Sequence, residues 1–429
     1  MRGEGSQVEL GDLRRQDKIV LDGLRDNGEA WIVGGWVRDV LSGSVPNDID
    51  IATSLRPDEV RAIFPRSIMV GEKFGTVIVR LDKTEGEAYQ CEVTTLREDG
   101  GYTDGRRPKN VIFGKEIHND LDRRDFTINA MAIKLSGTLV GESKPIGILI
   151  DNHGGIDDLK NDVLKAVGDA EKRLGEDGLR VIRAFRFLEQ GEGPLRKLDS
   201  DLSTAIVSNL GMLEMVSKER IWAEMQAILK GQNSKEIVEK MHAHGVLGKI
   251  LPRISVNLEV CHCRDHLVNL ALVCSSEMSS GTKLAEALTE SLKLSRNESL
   301  VLSFLHGHRD LELDHSTSSV RRFMATLTDS DRKRILDYLA GLGVDILQFH
   351  SAYQRIDELR AGNSPLIDGN LLSSLTGLEP GRKLGRLKDW LHRIQVVEDI
   401  DNRESLISLL GELDWEESDF EEWPILTWP

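Results

Sequence analysis

The amino-acid sequence predicts an α+β protein in which a head of mixed α and β structure is joined to a long helical body. Within the first 140 residues, short apolar runs rich in β-branched residues alternate with glycine-containing turns, a pattern typical of strands. From about residue 155 the apolar residues recur at the 3.6-residue spacing of amphipathic helices. We therefore expect the β-sheet to lie in the first third of the chain.

The head alternates predicted strands with turns. AWIVG at 30–34 predicts a buried strand ending in a turn, and a helix begins within 36–43. Further strands are predicted at IDIAT (49–53), TVIVRL (76–81) and YQCEVTTL (89–96). GGYTDGRRPKN at 100–110 combines glycines with a proline and lacks apolar periodicity, so it predicts a mobile loop.

The remaining two thirds is predicted to be mainly α-helical. Helical spacing occurs in LRVIRAFRFLEQ (179–190), ERIWAEMQAILKG (219–231), SKEIVEKMHAHGVLGKIL (234–251) and VRRFMATL (320–327). The stretch 365–395 predicts two helices separated by a turn at Pro380–Gly381. No internal repeat of fixed period is evident.

The chain is acidic: 55 Lys and Arg against 71 Asp and Glu give a net charge of −16. This disfavours nonspecific nucleic-acid binding, which depends on cations that contact phosphates. Net charge does not describe a local site, however, and GELDWEESDFEEWP at 411–424 concentrates acid in one segment. Basic clusters occur at Arg106–Lys109, Arg123–Arg124, Arg180–Arg186 and Arg382–Arg393. The charge balance therefore does not exclude a shaped RNA site.

Cysteine usage and hydropathy predict a cytoplasmic protein. No run of 18 apolar residues is present, and the first twenty residues lack an apolar core and carry four acidic residues. The four cysteines are too few for a disulfide framework in a chain of this length, and they favour a reducing, intracellular setting; they are Cys91, Cys261, Cys263 and Cys274.

The first candidate site is GGWVRDVLSGSVPNDIDIAT at 34–53. Asp48 and Asp50 flank Ile49, so on a strand both carboxylates would project from one face. Carboxylate oxygens are ligands that Mg²⁺ prefers, and two such ions can activate an attacking hydroxyl and stabilise a leaving oxygen. A lone Asp-x-Asp is more often a solvated turn, but a preceding glycine turn and arginine make this one more specific.

Two further features belong with these aspartates. The Gly34–Gly35 pair lies between a predicted strand and a predicted helix, where backbone N–H groups can face an anion. Arg38, one helical turn further, could reach the same phosphates. Glu92 lies on a later predicted strand and is either a third carboxylate for the metal ions or an exposed strand residue.

The second candidate site is RRDFTINAMA at 123–132, which places Arg123, Arg124 and Asp125 before a predicted apolar helix. Arg124 is either a triphosphate ligand or a surface arginine. Asp125 could cap the helix or accept a hydrogen bond from a ribose hydroxyl. Asn129 could contact the sugar or be an ordinary polar helix residue.

The third candidate site is EDGLRVIRAFRF at 176–187, in which Asp177, Arg180, Arg183 and Arg186 recur at steps of three and form a helical ridge. One interpretation is a basic surface helix with an ion pair. The other is a base-reading edge: Asp177 accepts from the exocyclic amine of cytosine or adenine, and Arg180 donates to the adjacent ring nitrogen. Uracil and guanine present the opposite pattern and would leave buried charged groups unpaired.

These three blocks, in order, resemble the class II tRNA nucleotidyltransferase family, which includes CCA-adding enzymes and bacterial poly(A) polymerase relatives. The matching stretches are GGWVRD with DID, GEKFGTVIV, EVTTLRED, YTDGRRPKNVIF, RRDFTINAMA, DNHGGIDDL, EDGLRVIRAFRF, VSKERIWAEMQAIL and DGNLLSSLTGLEPGRKLG. The resemblance is dense over about 31–230 and thin over about 250–360.

The resemblance implies an α+β fold: a nucleotidyltransferase head with a small mixed β-sheet, followed by an all-α neck, body and tail. The implied domains are a catalytic head (1–140), a nucleotide-recognising neck (141–215), a helical body (216–345) and a tRNA-binding tail (346–429). It also implies that the 100–110 loop enables the switch from C to A. The partners would be tRNA, CTP and ATP, and the protein a monomer or homodimer.

The resemblance also assigns site residues. Asp48 and Asp50 would bind Mg²⁺. Glu92 is a candidate third catalytic carboxylate from its place on a predicted strand, not from the resemblance. The incoming CTP or ATP would be held by Gly35, Arg38, Arg124, Asp177, Arg180, Arg183 and Arg186. Some positions depart from the family pattern: Gly178 stands where proline is usual and could loosen the helix start, Leu174 replaces an aromatic residue and Leu96 a frequent phenylalanine, and Asn370 and Arg382 differ in the tail.

The predicted function is template-independent addition of CCA to the tRNA 3′ end by two-metal nucleotidyl transfer. Addition of A alone is an open alternative. Within the resembled family, enzymes that add only CC look to have a shortened loop, so the intact 100–110 loop disfavours that activity. The poly(A) polymerase branch looks to carry an arginine-rich GRRFR-like stretch where this chain has GEKFGTV at 71–77, which disfavours a poly(A) polymerase. Outside this class stand a noncatalytic RNA-binding protein, disfavoured by the Asp48–Asp50 pair, and a metal hydrolase. A hydrolase would need a ligand set around Cys261–His266, which lacks a second ligand pair.

Overall fold

The computed structural model describes residues 5–10, 13–46, 48–70, 75–81, 89–99, 111–142, 144–190, 193–356 and 358–429. The chain forms two compact units, Met1–Arg253 with Ser291–Lys293, and Ile254–Glu290 with Leu294–Pro429. The predicted loop at 100–110, with the basic cluster Arg106–Lys109, lies outside the described residues. No described helix is long and apolar enough to cross a membrane.

The first unit contains an eight-stranded mixed sheet in the order β1-β10-β9-β2-β3-β6-β5-β4, in which only β3 and β6 are parallel. Its strands are β1 (Gln7–Glu9), β2 (Ala30–Val33), β3 (Asp50–Thr53), β4 (Ile68–Met69), β5 (Thr76–Arg80), β6 (Gln90–Thr95), β9 (Met131–Leu135) and β10 (Ile146–Asp151). Two short pairs lie apart: β7 (Arg97–Asp99) with β8 (Val111–Phe113), and β11 (Val163–Leu164) with β12 (Lys197–Leu198).

All four strands predicted in the head are confirmed, and so is the α+β class with a mixed sheet. Two details were wrong. The sheet includes β10, so it extends beyond residue 140, where the head was expected to end. RRDFTINAMA does not precede a helix: a 3-10 turn at Thr127–Asn129 leads into β9. Because β9 is an inner strand with four of five residues buried, it is apolar nearly throughout, and such runs do not distinguish helix from strand.

The described helices of the first unit lie between and after the strands in the sequence. They are α1 (Arg15–Arg25), α2 (Gly35–Leu41), α3 (Pro57–Ile63), α4 (Ile117–Asp122), α5 (Gly155–Lys160), α6 (Ala170–Glu176), α7 (Leu179–Arg186), α8 (Ser200–Ser208), α9 (Lys218–Lys230), α10 (Ser234–Ala243) and α11 (Val246–Ile250). A second 3-10 segment spans Leu210–Met215. β11 and β12 lie in the region predicted as an all-α neck, so that region is not purely helical.

One face of the sheet carries both the core and the chemistry. Trp31 and Val33 of β2, with Ala52 of β3, pack against Ile117 and Leu121 of α4. The pairing sets Val33 opposite Asp50 and Trp31 opposite Ala52, so residue 50 projects from this same face at its end. The apolar core therefore fixes the position of the first candidate carboxylate.

Helix α7 begins at a crowded point. A Cβ on Gly178 would lie 2.2 Å from the carbonyl oxygen of Met212, so a residue with a side chain would displace the backbone there. Gly178 therefore permits close packing between the start of α7 and the backbone of Met212. Beyond it, Val181, Ile182 and Phe185 are buried, while Arg183 and Arg186 lie on the more exposed side of α7.

The second unit is helical in its described residues. It comprises α12 (His266–Val273), α13 (Gly281–Leu292), α14 (Arg296–Gly307), α15 (Thr317–Thr326), α16 (Asp329–Gly341), α17 (Leu347–Gln354), α18 (Gly369–Thr376), α19 (Arg382–Glu398) and α20 (Arg403–Leu410). The predicted turn at Pro380–Gly381 separates α18 from α19, as expected. The further division into four domains remains a prediction.

The acidic segment 411–424 packs along α19. Trp423 is buried, and its ring centroid lies 5.5 Å from that of Trp390. Arg386 donates to the carbonyl oxygens of Phe420, Glu421 and Trp423. The basic side chains of α19 are therefore partly occupied by the backbone of the same unit.

Candidate active site

Asp50 and Glu92 lie side by side at the centre of the sheet. β3 and β6 run parallel, and their register pairs residue 50 with residue 92, so both carboxylates project from one face. Burial raises the pKa of Asp50, and the charges of Glu92 and Asp48 raise it further, while Arg124 opposes them. Such crowding of carboxylates is the environment that a cation stabilises.

A glycine turn opens above these carboxylates. Gly34 has a φ of 74°, a left-handed conformation that favours glycine, and it begins α2. A Cβ at this position would lie 3.2 Å from a carboxylate oxygen of Asp50 and 3.3 Å from a guanidinium nitrogen of Arg124. The predicted turn between β2 and α2 is confirmed, and a side chain would intrude between an acidic and a basic group.

Arg38 faces the same space from α2. Its guanidinium binds the carboxylate of Asp39 at 2.7 Å and the side-chain oxygen of Asn129 at 2.9 Å. Asn129 is the last residue of the 3-10 turn before β9. From there its side-chain oxygen accepts from the guanidinium of Arg38 and orients it.

Asp120 holds two neighbouring arginines and was missed by the sequence analysis. One of its carboxylate oxygens binds Arg123, and the other accepts from Arg124 at 3.2 Å. Burial would raise the pKa of Asp120, but the two guanidinium groups outweigh it and lower the pKa. The spacings of three and four residues in NDLDRR were the available signal for this pairing. Arg124 also donates to the backbone oxygen of Asn129 at 3.2 Å, so it is fixed from two sides.

Asp125 pairs with Arg183 of α7 at 2.7 Å, and its other oxygen accepts from the backbone N–H of Phe126. The expectation that Asp125 caps a helix was wrong, since no helix follows it and Phe126 precedes the 3-10 turn. Burial would raise the pKa of Asp125, but Arg183 outweighs it and lowers the pKa.

Glu224 of α9 is a second acidic group that the sequence analysis missed. It is 7% exposed and binds Arg183 at 3.4 Å and Arg186 at 3.0 Å. Burial alone would lower the pKa of Arg183, but Asp125 and Glu224 outweigh it and raise the pKa. Arg183 is therefore held as a cation by residues 41 and 58 positions away in the chain.

Asp177 and Arg180, the predicted base-reading pair, both line the same cavity but contact other residues. Asp177 accepts from Arg220 of α9 at 2.8 Å. Arg180 is 8% exposed and donates to Glu176 at 2.7 Å and to the backbone oxygen of Arg123 at 2.9 Å. Glu176 and Arg220 were not selected from the sequence. Glu176 binds Arg180 and Arg220 binds Asp177, so each side chain of the predicted pair is held by a different partner.

These groups surround one cavity of about 620 Å³, a volume typical of small-molecule sites. Eight arginines and five carboxylates line it: Arg38, Arg97, Arg123, Arg124, Arg180, Arg183, Arg186 and Arg220, with Asp50, Glu92, Asp120, Asp125 and Asp177. Gly35 and Phe187 also belong to the lining. Because cations outnumber carboxylates, the cavity suits an anionic ligand with several phosphates.

Asp48 lies outside that lining. It is exposed and lies two residues before the start of β3, while Ile49 is buried and Asp50 is half-buried, which is the alternation expected of a strand. Across the described ranges no three His, Cys, Asp or Glu side chains group as a metal site, and this includes the segment Cys261–His266. Mg²⁺ commonly takes one or two protein carboxylates and completes its shell with water and substrate phosphates. Asp48 and Asp50 fit a cation site of that kind.

Two family models match this chain. Residues 30–165 match the poly A polymerase head domain, and residues 197–258 match the probable RNA and SrmB-binding site of polymerase A. A CCA-adding enzyme from Ligilactobacillus salivarius (strain UCC118) is 31% identical over 404 residues, covering 90% of this chain and 93% of that protein.

Other relatives match over a shorter stretch. A CCA-adding enzyme from Geobacillus thermodenitrificans (strain NG80-2) is 42% identical over 231 residues, which is 54% of this chain and 52% of that protein. In such alignments the chain spans about half the length of the curated relatives it matches.

Solved structures share the fold. The crystal structure of Bacillus stearothermophilus CCA-adding enzyme in complex with CTP has a TM-score of 0.73 at 26% identity, covering 92% of this chain and 96% of that one. Thermotoga maritima CCA-adding enzyme complexed with tRNA_CCA has a TM-score of 0.63 at 20% identity, covering 92% of this chain and 94% of that one. The second likeness shows the fold alone.

Proposed function

Because the chain belongs to the class II tRNA nucleotidyltransferase family, we propose that it adds CCA to the 3′ end of tRNA from CTP and ATP. The observation that carries the proposal is the single cavity in which paired carboxylates face a surplus of arginines. Nucleotidyl transfer requires both: carboxylates for a divalent cation, and cations for the triphosphate.

The carboxylates of Asp50 and Glu92 in the cavity lining support metal-assisted transfer. Asp48 and Asp50 would hold Mg²⁺, and Glu92, adjacent to Asp50, is a third candidate ligand. When bound, such ions activate the attacking 3′-hydroxyl and stabilise the leaving oxygen. In the transfer, the terminal ribose oxygen forms a bond to the α-phosphorus of the nucleotide, and the bond to pyrophosphate breaks.

The arginines in the cavity lining support triphosphate binding. Arg38, Arg124, Arg183 and Arg186, with the backbone at Gly35, would hold the phosphates. Each of these arginines already has a carboxylate or carbonyl partner, so its side chain is ordered before a ligand arrives. A preordered guanidinium loses less conformational entropy on binding than a free one.

Asp177 and Arg180 would select the base. Asp177 would accept from the exocyclic amine of cytosine or adenine, while Arg180 would donate to the neighbouring ring nitrogen. In the described residues three hydrogen bonds use Arg180 N–H groups, and a guanidinium has five. Uracil and guanine would meet the wrong polarity and leave buried charges unpaired, at a cost of about 1–3 kcal/mol each.

The proposal extends to the tRNA and the setting. The helical tail, 346–429, would contact tRNA, and the 100–110 loop would allow the change from C to A. The protein would work in the cytoplasm as a monomer or homodimer. The full CCA activity is favoured over addition of A alone because relatives over half the chain and over nearly all of it are CCA-adding enzymes.

One experiment separates these activities. Transcripts of one tRNA that lack CCA, end in C, or end in CC are incubated with Mg²⁺ and labelled CTP, ATP, UTP or GTP. Full CCA addition predicts label from CTP on the first two transcripts, from ATP on the third, and a product that stops at CCA. Incorporation from ATP on the CC transcript alone would reassign the enzyme to A addition, and a long A tract would make it a poly(A) polymerase.

A further inference from the structure

The aromatic ring of Phe187 lies at the centre of three arginines in the cavity. The guanidinium carbons of Arg38, Arg183 and Arg186 lie 5.4, 4.9 and 5.4 Å from the ring centroid. Arg38 comes from α2, and the other two come from α7, whose last turn leads directly into residue 187. The electron-rich face of a neutral aromatic ring attracts cations within about 6 Å. One ring thus serves three positive charges.

The same three arginines have carboxylate partners, which compete with a phosphate for their donors. Arg38 binds Asp39 at 2.7 Å, Arg183 binds Asp125 at 2.7 Å, and Arg186 binds Glu224 at 3.0 Å. A phosphate oxygen binds the N–H groups that these carboxylates leave available, or shares one with them. Contact with a ring is different, because a guanidinium donates in its own plane while its face remains available for an aromatic surface.

The ring is itself held in place. Phe126 is fully buried and packs edge-on against Phe187, with ring centroids 5.8 Å apart and an interplanar angle of 68°. The backbone N–H of Phe126 also donates to Asp125, which holds Arg183. The pair Asp125–Phe126 therefore supports both a guanidinium and the ring beneath it.

We propose that Phe187 is a positioning residue for the triphosphate: its ring keeps three guanidinium groups together when phosphate oxygens bind them beside their carboxylate partners. This rests on the proposed nucleotidyl transfer, since it assigns the triphosphate to these arginines. Three like charges in so small a space repel one another, and the ring contact offsets that repulsion without consuming a donor. The role concerns phosphates, so it applies equally to CTP and ATP.

Replacement of Phe187 by phenylalanines carrying one, two and three fluorines tests this, because fluorine weakens the ring quadrupole while its shape changes little. The dissociation constant of inorganic tripolyphosphate is measured by calorimetry, with the KM for CTP and ATP on matching tRNA ends. We expect the logarithm of each constant to rise steadily with fluorine number, to about tenfold for three fluorines. The rise should be equal for CTP and ATP, with discrimination against UTP unchanged.

Phe187→Leu should weaken tripolyphosphate binding by at least as much, and Phe187→Tyr should retain most of it. Phe185→Leu is the matched control. It removes a buried ring of α7 that packs against His244 and lies outside the arginine cluster around Phe187. A flat fluorine series, or equal losses in Phe187→Leu and Phe185→Leu, would overturn the proposal. Failure of the proposed function looks different, since the unmodified protein would then not incorporate CTP or ATP.

Discussion

Two pairs of arginines, one pair in each unit, are held in different ways. In the cavity of the first unit, Arg183 binds the carboxylates of Asp125 and Glu224, and Arg186 binds that of Glu224. On α19 of the second unit, Arg386 and Arg393 bind backbone carbonyl oxygens of residues 420–425. Both arrangements order long, flexible side chains, but their partners differ in charge.

The difference bears on exchange with a ligand. A carboxylate carries a full charge, so it orders a guanidinium, and the remaining N–H groups of that guanidinium can bind a phosphate. A backbone carbonyl carries only a dipole, and a hydrogen bond from an arginine to it attaches one segment of the chain to another. The first pattern suits a site where ligands come and go, and the second suits internal cohesion. Four substitutions test this contrast.

Asp50→Asn should have the largest effect on activity. Loss of a carboxylate ligand is expected to lower kcat/KM for CMP incorporation about 1,000-fold or more, equivalent to roughly 4 kcal/mol. Stability should move the other way: burial and like charges raise the pKa of Asp50, so its ionised form destabilises the fold at neutral pH. Thermal unfolding should therefore occur at an equal or higher temperature. Asp58→Asn on α3 is the control, and substantial retained activity in Asp50→Asn would refute the metal assignment.

Glu224→Ala should cost the most stability. It leaves two arginines without their shared buried partner, and we expect a loss of about 3 kcal/mol in the free energy of unfolding. Glu224→Gln should lose less because its amide oxygen still accepts a hydrogen bond. Glu219→Ala, an exposed position on the same helix, should change stability by less than about 0.5 kcal/mol. Denaturant unfolding measures all three, and equal losses at 219 and 224 would contradict the buried-partner account.

Asp125→Asn should destabilise in a pH-dependent way. The folded-state pKa of Asp125 is lowered, so its charge contributes stability at pH values above its unfolded pKa of about 3.9. That contribution is lost as pH falls through the folded pKa. At pH 7 the variant should be less stable by about 2 kcal/mol, and the difference should shrink below about pH 4. A gap that stays constant from pH 7 to pH 3 would show that geometry, not charge, causes it.

Arg386→Gln should have the smallest effect, about 1 kcal/mol on unfolding, because its partners are carbonyl groups near the surface. The clearer readout is limited proteolysis, in which segment 411–424 should be cleaved faster. Arg382→Gln removes an ion pair of an arginine whose side chain is 82% exposed, and it should change neither quantity measurably. If both variants behave alike, the carbonyl contacts do not hold the segment.

Local patterns in the sequence predicted much of this molecule. Alternation around Ile49 identified the strand and its carboxylate at Asp50, and steps of three identified the arginine ridge of α7. Both depend on neighbours a few residues apart. The arginine partners were not predictable in the same way: Glu224 is 38 and 41 residues from the arginines it binds, and Asp125 is 58 residues from its arginine.

The one wrong element has a similar cause. The apolar residues of RRDFTINAMA predicted a helix after Asp125, yet the chain forms a 3-10 turn and an inner strand there. A strand covered on both faces loses its polar alternation, so the information that separates strand from helix lies in the neighbouring strands β2 and β10. Asp177 lines the cavity, but its contact with Arg220 depends on the packing of α7 against α9.

Glu224 has a consequence for how sequences of this kind can diverge. It balances two arginines, one of which also balances Asp125, so a change at any one of these positions leaves a charge uncompensated in its neighbours. Single replacements would be removed by selection, while paired ones that preserve the charge balance could persist. Among homologues, positions 125, 183, 186 and 224 should therefore vary together, or not at all.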